Sequence, residues 1–274
     1  MGPTTVLDWL QPELDRCRRL IADQRDPRRW TKVSSRGATE LVTEADLAVE
    51  AVLVNAISRR MPSAAILSEE SEPDEAVLDR PGDCFVIDPI DGTEELAGGR
   101  PGYAISVAMF HDGRPAAAVL DLPALDQRFT CVVGNGAFLN GRPMTLSNVQ
   151  RLNEAILAVS ATQRELPELA DFWGSVGARA LVPTPGFAAK CASVVAGVCH
   201  AVLYLPVRPY PTAIWDYAAA ATLLAEAGGW YGSIDGAELL ALRPFIYRGG
   251  WIVAPPGLRH QLLDVAQTAR HIGG

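Results

Sequence analysis

The sequence predicts a layered α/β fold of the α+β kind, with helices and sheets alternating through the molecule. Three observations carry this. Apolar residues recur at three- and four-residue spacing in the first segment. Short apolar runs separated by turn signals follow one another between residues 103 and 133. Strands and helices then alternate to the end of the chain, the pattern of an α/β layer. The 274 residues are 49% hydrophobic, enough to bury a sizeable core in one large domain or two halves. The change of pattern divides the chain into an N-terminal α+β half, residues 1–150, and a C-terminal α/β half, residues 151–274.

The elements follow in order. Val6, Trp9, Leu10, Leu14, Cys17, Leu20 and Ile21 mark an amphipathic helix from Thr4 to Asp23. A polar loop is expected next, through Lys32, Ser34, Ser35, Arg36 and Gly37. Thr43-Glu44-Ala45-Asp46 has the form of a capping box and opens a second helix that runs towards Pro62. Ala64–Leu67 and Cys84–Ile87 read as strands, the second fully buried. Tyr103–Phe110, Ala116–Leu120 and Phe129–Val133 form an antiparallel meander, punctuated by His111-Asp112-Gly113 and Leu122-Pro123. Asn135-Gly136 and Asn140-Gly141 are further turn signals. Ala155–Ser160 and His200–Leu205 are strands, and Phe187–Ala196 is a helix. Trp215–Ala227 is a helix stopped by Gly228-Gly229. A strand at Trp251–Val253 and a helix from Gly257 to Thr268 complete the chain.

Composition narrows the function. With 24 basic and 32 acidic residues the net charge is −8, which disfavours nucleic-acid polymers and anionic membranes as partners. Small phosphorylated ligands stay open where a metal supplies positive charge. No run of about 18 apolar residues suggests a membrane span, and the charged N-terminal stretch lacks a signal peptide's apolar core. Cys17, Cys84, Cys131, Cys191 and Cys199 include no CxxC pair and read as buried free thiols of a reducing compartment. The expected location is the cytoplasm. Only Lys32 and Lys190 among the 24 basic residues are lysines.

The chemistry concentrates in residues 69–95, which hold eleven acids and one base, Arg80. Glu72–Asp83 reads as a solvated surface loop. The two ends differ. Glu69 and Glu70 directly follow one apolar strand, and Asp88 directly follows another, with Asp91 three residues on. Carboxylates at buried strand ends need a charge partner, and a divalent cation is the economical one. In Asp88-Pro89-Ile90-Asp91-Gly92-Thr93, Pro89 stiffens the exit and Asp91 turns back towards Asp88. Gly92 and Thr93 open a short helix whose backbone N–H groups suit an anion. Oxygen ligands without His or Cys favour Mg2+ or Mn2+ over Zn2+. Two such cations about 3.5–4 Å apart would activate a water and stabilise a leaving alkoxide. Asp216, at a helix start, reads from its position alone as an N-cap.

Ser68-Glu69-Glu70-Ser71, Asp88–Thr93, and Trp215-Asp216 leading into Ala218-Ala219-Ala220 and Glu226–Gly229 resemble, in order and spacing, the inositol monophosphatase superfamily of Mg2+-dependent, lithium-sensitive phosphomonoesterases. Leu41–Asp46 and Gly134–Gly141 agree with it. The resemblance implies an alternating αβαβα sandwich that holds two or three Mg2+ ions, with Mn2+ as a substitute. It implies Glu69, Asp88 and the carbonyl of Ile90 around the first metal, and Asp88, Asp91 and Asp216 around the second. It gives Glu69 and Thr93 the nucleophilic water, and Asp91, Gly92 and Thr93 the phosphate. Asp46 would pair with Thr93 or help a third metal through water. Family members are often dimers, so a homodimer is expected.

Seven residues before Asp216, where inositol monophosphatases proper place an acid against the inositol ring, this chain has Pro209. Pro211–Asp216 and Gly92–Leu96 are instead similar to bisphosphate nucleotidases, which remove the 3′-phosphate of adenosine 3′,5′-bisphosphate. Lys190 falls near a lysine of that subgroup, and Arg208 could meet a second phosphate. Glu94 and Leu96 depart from it, standing where the subgroup has a base and an aromatic residue. The expected substrate is a small phosphorylated metabolite: adenosine 3′,5′-bisphosphate or a sugar or cyclitol phosphate, with inositol 1-phosphate and histidinol phosphate as alternatives. A metal-depleted relative acting as a binding or scaffold protein would have lost one of Glu69, Asp88, Asp91 and Asp216, and all four are present.

Overall fold

A computed structural model describes residues 2–23, 30–35, 38–72, 74–207, 211–239 and 245–269. In chain order the elements are α1 (Pro3–Asp23), β1 (Trp30–Ser35), β2 (Ala38–Thr43), α2 (Glu44–Arg60), β3 (Ala65–Ser68), β4 (Asp83–Asp91), α3 (Thr93–Ala97), β5 (Ala104–His111), β6 (Arg114–Leu122), β7 (Gln127–Val132), β8 (Ala137–Leu139) and β9 (Arg142–Met144). They continue with β10 (Ile156–Ser160), α4 (Ala161–Arg164), α5 (Ala170–Ser175), β11 (Ala180–Thr184), α6 (Phe187–Val195), β12 (Ala201–Tyr204), β13 (Thr212–Ala213), α7 (Ile214–Glu226), β14 (Trp230–Ser233), β15 (Ile246–Tyr247), β16 (Trp251–Ala254) and α8 (Pro256–Thr268).

Residues 65–144 build a seven-stranded sheet of order β3-β4-β5-β6-β7-β8-β9, parallel only between β3 and β4. Residues 156–254 build a five-stranded sheet of order β11-β10-β12-β16-β14. In it β10, β11 and β12 run parallel, and β16 is antiparallel to both of its neighbours.

Strand alternation sends each sheet's side chains to two different cores. Phe85, Ile87, Ile105, Val107 and Met109 pack against Leu10, Leu14, Val49 and Leu53 of α1 and α2. Val86, Ala104, Ala108 and Phe110 face the other way, onto α6 and α7. Those two helices also meet Ala158, Val202, Tyr231 and Val253 of the five-stranded sheet. Its far face, with Leu157, Val159, Leu203 and Ile252, is covered by Phe172 and Trp173 of α5 and Leu258 and Leu262 of α8. The layers therefore run αβαβα. A helix enclosed by two sheets must be apolar all round, and Ala218, Ala219, Ala220, Ala221, Leu223 and Leu224 of α7 are all buried.

Local chemistry sets the element ends. The capping box at Thr43 forms, and α2 stops at Arg60, short of Pro62. Asp112 and Gly113 have φ of 48° and 74°, and Asn140 and Gly141 have 49° and 76°, so both hairpins turn on paired left-handed residues. Gly229 N–H donates to Leu224 O at 2.7 Å and Gly228 N–H to Ala225 O at 3.0 Å, the paired bonds of a Schellman stop for α7.

The expected polar loop after α1 is corrected: it holds a hairpin of β1 and β2, with Trp30 opposite Thr43. Thr31, Val33, Thr39 and Val42 are β-branched and favour an extended chain, which the polar content concealed. Arg36 and Gly37 of that segment lie outside the described residues. The acidic loop contains a 3-10 turn, Glu75–Asp79, that buries Val77 and Leu78. All five cysteines are buried free thiols. Burial pushes that of Cys84 up to about 11, so it is inert at neutral pH. No helix among the described residues is long and apolar enough to cross a membrane.

Asp121 of β6 is wholly buried and ties α1 to the sheet. It accepts from Arg18 Nε at 3.0 Å and from Arg128 Nη2 at 2.9 Å. Removing the carboxylate takes from Arg18 and Arg128 their shared buried partner and leaves the contacts to exposed Asp126 and Asp15, so Asp121→Ala is expected to destabilise the fold by about 2 kcal/mol in urea unfolding. A loss below about 0.5 kcal/mol would show that the clamp adds little.

Candidate active site

Two neighbouring strands and the starts of four helices converge on one place. β3 and β4 run parallel and end together, with Ser68 opposite Ile87. The Glu69 N–H extends this pairing to Ile87 O at 3.1 Å, which brings Glu69 beside Asp88. Along β4, Asp88 faces Ser106 and Asp91 faces Ala104, three residues against two, so a bulge lies at Pro89-Ile90. In a regular strand, side chains three apart point to opposite faces. The extra residue returns Asp91 to the side of Asp88.

Asp216 arrives from the third position of α7, where its Oδ2 accepts from Ala213 N–H at 2.6 Å. A carboxylate there bonds back to the helix start and favours the N-terminal dipole. The expected N-cap reading is thus corrected by three positions, the cap residue being Ala213. Asp88, Asp91 and Asp216 each offer an oxygen within 4.8 Å of the others. Ser106 Oγ donates to Trp215 O at 3.3 Å, which links β5 to the start of α7. Trp215 itself is core, as its surroundings require.

Asp46 occupies the same third position in α2. Its Oδ2 accepts from Thr43 N–H at 2.8 Å and from the Thr43 hydroxyl, and Thr93 Oγ1 donates to its Oδ1 at 3.1 Å. Thr93 Oγ1 also lies 3.1 Å from Ile90 O. Gly92 has φ +85°, and a Cβ there would stand 3.2 Å from Gly102 O and 3.3 Å from Tyr103 Cα. Only glycine suits this turn.

Asp91 is held from the other sheet. Ala188 N–H donates to its Oδ2 at 2.6 Å and Phe187 N–H to its Oδ1 at 3.4 Å, both from the start of α6. Gly186, at φ +56°, precedes them, and a Cβ there would be 2.9 Å from Asp91 Oδ2. Lys190 is buried and donates to Gly186 O, with its charge beside Asp91 and Glu95. Sequence reasoning missed Gly186, Phe187 and Ala188; the Thr184-Pro185-Gly186 turn before an apolar helix was the available signal. Arg208 and Pro209 lie outside the described residues.

Burial and then the neighbouring carboxylates push Asp88 well above the usual range. Glu69 is raised well above it too, by burial and by the charge of Asp216, with a hydrogen bond from Asp88 opposing. Asp91 and Asp46 are raised by burial, opposed by the N–H groups of Ala188 and by Thr43 respectively. Asp88 Oδ1 is buried with no hydrogen-bond partner. An orphaned carboxylate oxygen amid further carboxylates fits a hard divalent cation.

Residues 13–271 match the Inositol monophosphatase family. The chain belongs to that family. It is a phosphomonoester hydrolase of the inositol monophosphatase type. Inositol monophosphatase 3 of Solanum lycopersicum is 31% identical over 211 residues, covering 75% of this chain and 78% of that one. Nus factor SuhB of Escherichia coli is 31% identical over 235 residues, covering 84% of this chain and 85% of that one. SaIMPase-II of Staphylococcus aureus, solved with 2′-AMP bound, shares the fold with a TM-score of 0.80 at 20% identity, covering 98% of this chain and 96% of that one. The same protein has been solved with inositol monophosphate.

Raised carboxyl pKa values mean that the native state without metal binds more protons than the unfolded chain. Its stability is then lost as pH rises from the ordinary carboxylate range, about 4, towards the raised values. In chelator, the melting temperature is expected to fall as pH rises above the ordinary carboxylate range, and Mg2+ to restore it most at the alkaline end. A Mg2+ effect independent of pH would show that these carboxyls do not carry the coupling. Gly186→Ala puts a methyl group against Asp91 and is expected to weaken Mg2+ binding about tenfold by titration calorimetry. Unchanged affinity would remove Asp91 from the ligand set.

Proposed function

We propose that the protein hydrolyses a small phosphomonoester with Mg2+, the substrate being adenosine 3′,5′-bisphosphate or a sugar or cyclitol phosphate. The observation that carries this reading is the orphaned Asp88 Oδ1 in the middle of the acid cluster. Glu69, Asp88, Asp91, Asp216 and the carbonyl of Ile90 would hold two Mg2+ ions, a third joining through Asp46, and Mn2+ would serve in their place. Bound there, the cations supply the positive charge that acidifies a water and stabilises a leaving alkoxide.

The chain's own groups do the rest. Asp46, fixed by Thr43, takes the hydroxyl hydrogen of Thr93. Thr93 Oγ1 thereby turns a lone pair outward, ready to accept from a water and orient it. Glu69, raised by burial, is suited to take that water's proton. The backbone N–H groups of Gly92 and Thr93 would meet the phosphate beside Asp91. Lys190 adds positive charge from beneath Asp91, and Arg208 is proposed to meet a second phosphate.

Support for both substrate groups comes from SaIMPase-II, which carries a nucleotide monophosphate in one structure and inositol monophosphate in another. Pro209 in place of an acid favours the nucleotide. The net charge of −8 favours a small metabolite over a nucleic-acid polymer. A cytoplasmic homodimer completes the reading.

The test is phosphate release with Mg2+ over adenosine 3′,5′-bisphosphate, fructose 1,6-bisphosphate, inositol 1-phosphate and histidinol phosphate, with and without millimolar lithium. One of them is expected to dominate and lithium to inhibit it. Asp88→Asn is expected to lower kcat by at least about a thousandfold. An active Asp88→Asn protein would sink the mechanism.

A further inference from the structure

Gln163 lies in α4 and is 3% exposed. Every hydrogen of its amide is used. Nε2 donates to Leu205 O at 2.7 Å and to Val207 O at 3.1 Å, while Leu205 N–H donates to Oε1 at 3.1 Å. Its own backbone carbonyl accepts from Trp173 Nε1 at 3.0 Å. The partners fix which amide atom is oxygen, since two carbonyls face one end and an N–H the other.

The place of this contact gives it meaning. β10 pairs with β12 up to Val159 opposite Leu203 and then turns into α4. The chain runs past the end of β12 through Leu205 and Val207, beyond the last residue that β10 pairs. The Gln163 side chain fills the missing rung, meeting both the N–H and the C=O of Leu205 as a neighbouring strand does. β10, β11 and β12 are parallel, so their carboxyl ends share one edge. That edge faces the acid cluster, because Gly186–Ala188, just past β11, touch Asp91. Ligands of parallel α/β sheets bind outside this edge.

The stretch after Val207 leads to Thr212 and Ala213, which pair with Tyr247 and Ile246, and then to Asp216. Thr212 and Ala213 are thus fixed by β15 and the helix start. Leu205 and Val207 are fixed by the Gln163 amide.

We propose that Gln163 is a positioning residue for substrate, acting through the backbone of Leu205–Val207 at the edge of the active site. This rests on the phosphomonoesterase reading above. Its effect falls on the alcohol part of the ester, since the metal ligands and Gly92-Thr93 are held by other contacts. Gln163→Leu removes the amide, and Gln163→Asn keeps it but one methylene short, so at least the second variant is expected to fold.

Both are tested as the full chain with Mg2+. The expected result is a KM about tenfold higher for adenosine 3′,5′-bisphosphate or inositol 1-phosphate, whichever is turned over, with kcat within about twofold. Inhibition by inorganic phosphate is expected to stay unchanged. Deuterium uptake is expected to rise in peptides covering 204–213 and to stay unchanged in β4 and β5. Unchanged KM and uptake overturn the proposal, as does a fall in kcat at constant KM. If the parent protein turns over neither ester, the phosphatase reading fails on its own, and the uptake arm still decides whether Gln163 holds this edge.

Discussion

The structure depends on one electrostatic constraint: several carboxylates meet at an edge where water is scarce. Each acid alone is ordinary. Asp88 lies in a buried strand just before its bulge, Glu69 follows the last residue of the parallel neighbour, and Asp216 stands in the first turn of a buried helix. Together they repel one another, and burial raises Glu69 and Asp88 well above the usual carboxylate range. Protons or cations must offset that charge. An acidic protein can therefore receive an anionic ester at the very place where its own acids are densest, provided metal fills it.

Backbone devices hold the acids in reach. A bulge brings Asp88 and Asp91 to one side. Two helices use their third residue in the same manner, each folding an aspartate back onto the chain entering the helix. Glycines at 92 and 186 leave room that a methyl group would fill. These devices belong to different layers, so the site is a product of packing rather than of one loop.

Much of this was legible in the sequence. The periodic helices, the meander and the Asp88–Thr93 hexapeptide each carry a local signal, and Glu69, Asp88 and Asp91 followed from strand ends that could not stay charged alone, while Asp216 joined them only through the family resemblance. The hairpin at Trp30–Thr43 was hidden because its polar residues outnumber its apolar ones. The short strands β8, β9, β11 and β14 were missed because three to five residues hold too little pattern. The N–H groups of Phe187 and Ala188 that hold Asp91 come from nearly a hundred residues away, and the turn at Thr184–Gly186 marks a helix start without naming its partner. Gln163 was invisible for the same reason: its partners are forty residues on.

α7 lies between the two sheets, and its first turn carries Asp216. The acid cluster is therefore incomplete until both sheets have closed on that helix. Folding of the N-terminal half alone could align Glu69, Asp88 and Asp91 but would leave the pocket one acid short. If metal is held as proposed, its capture therefore waits on assembly: a partly folded chain lacks Asp216 at the acid cluster.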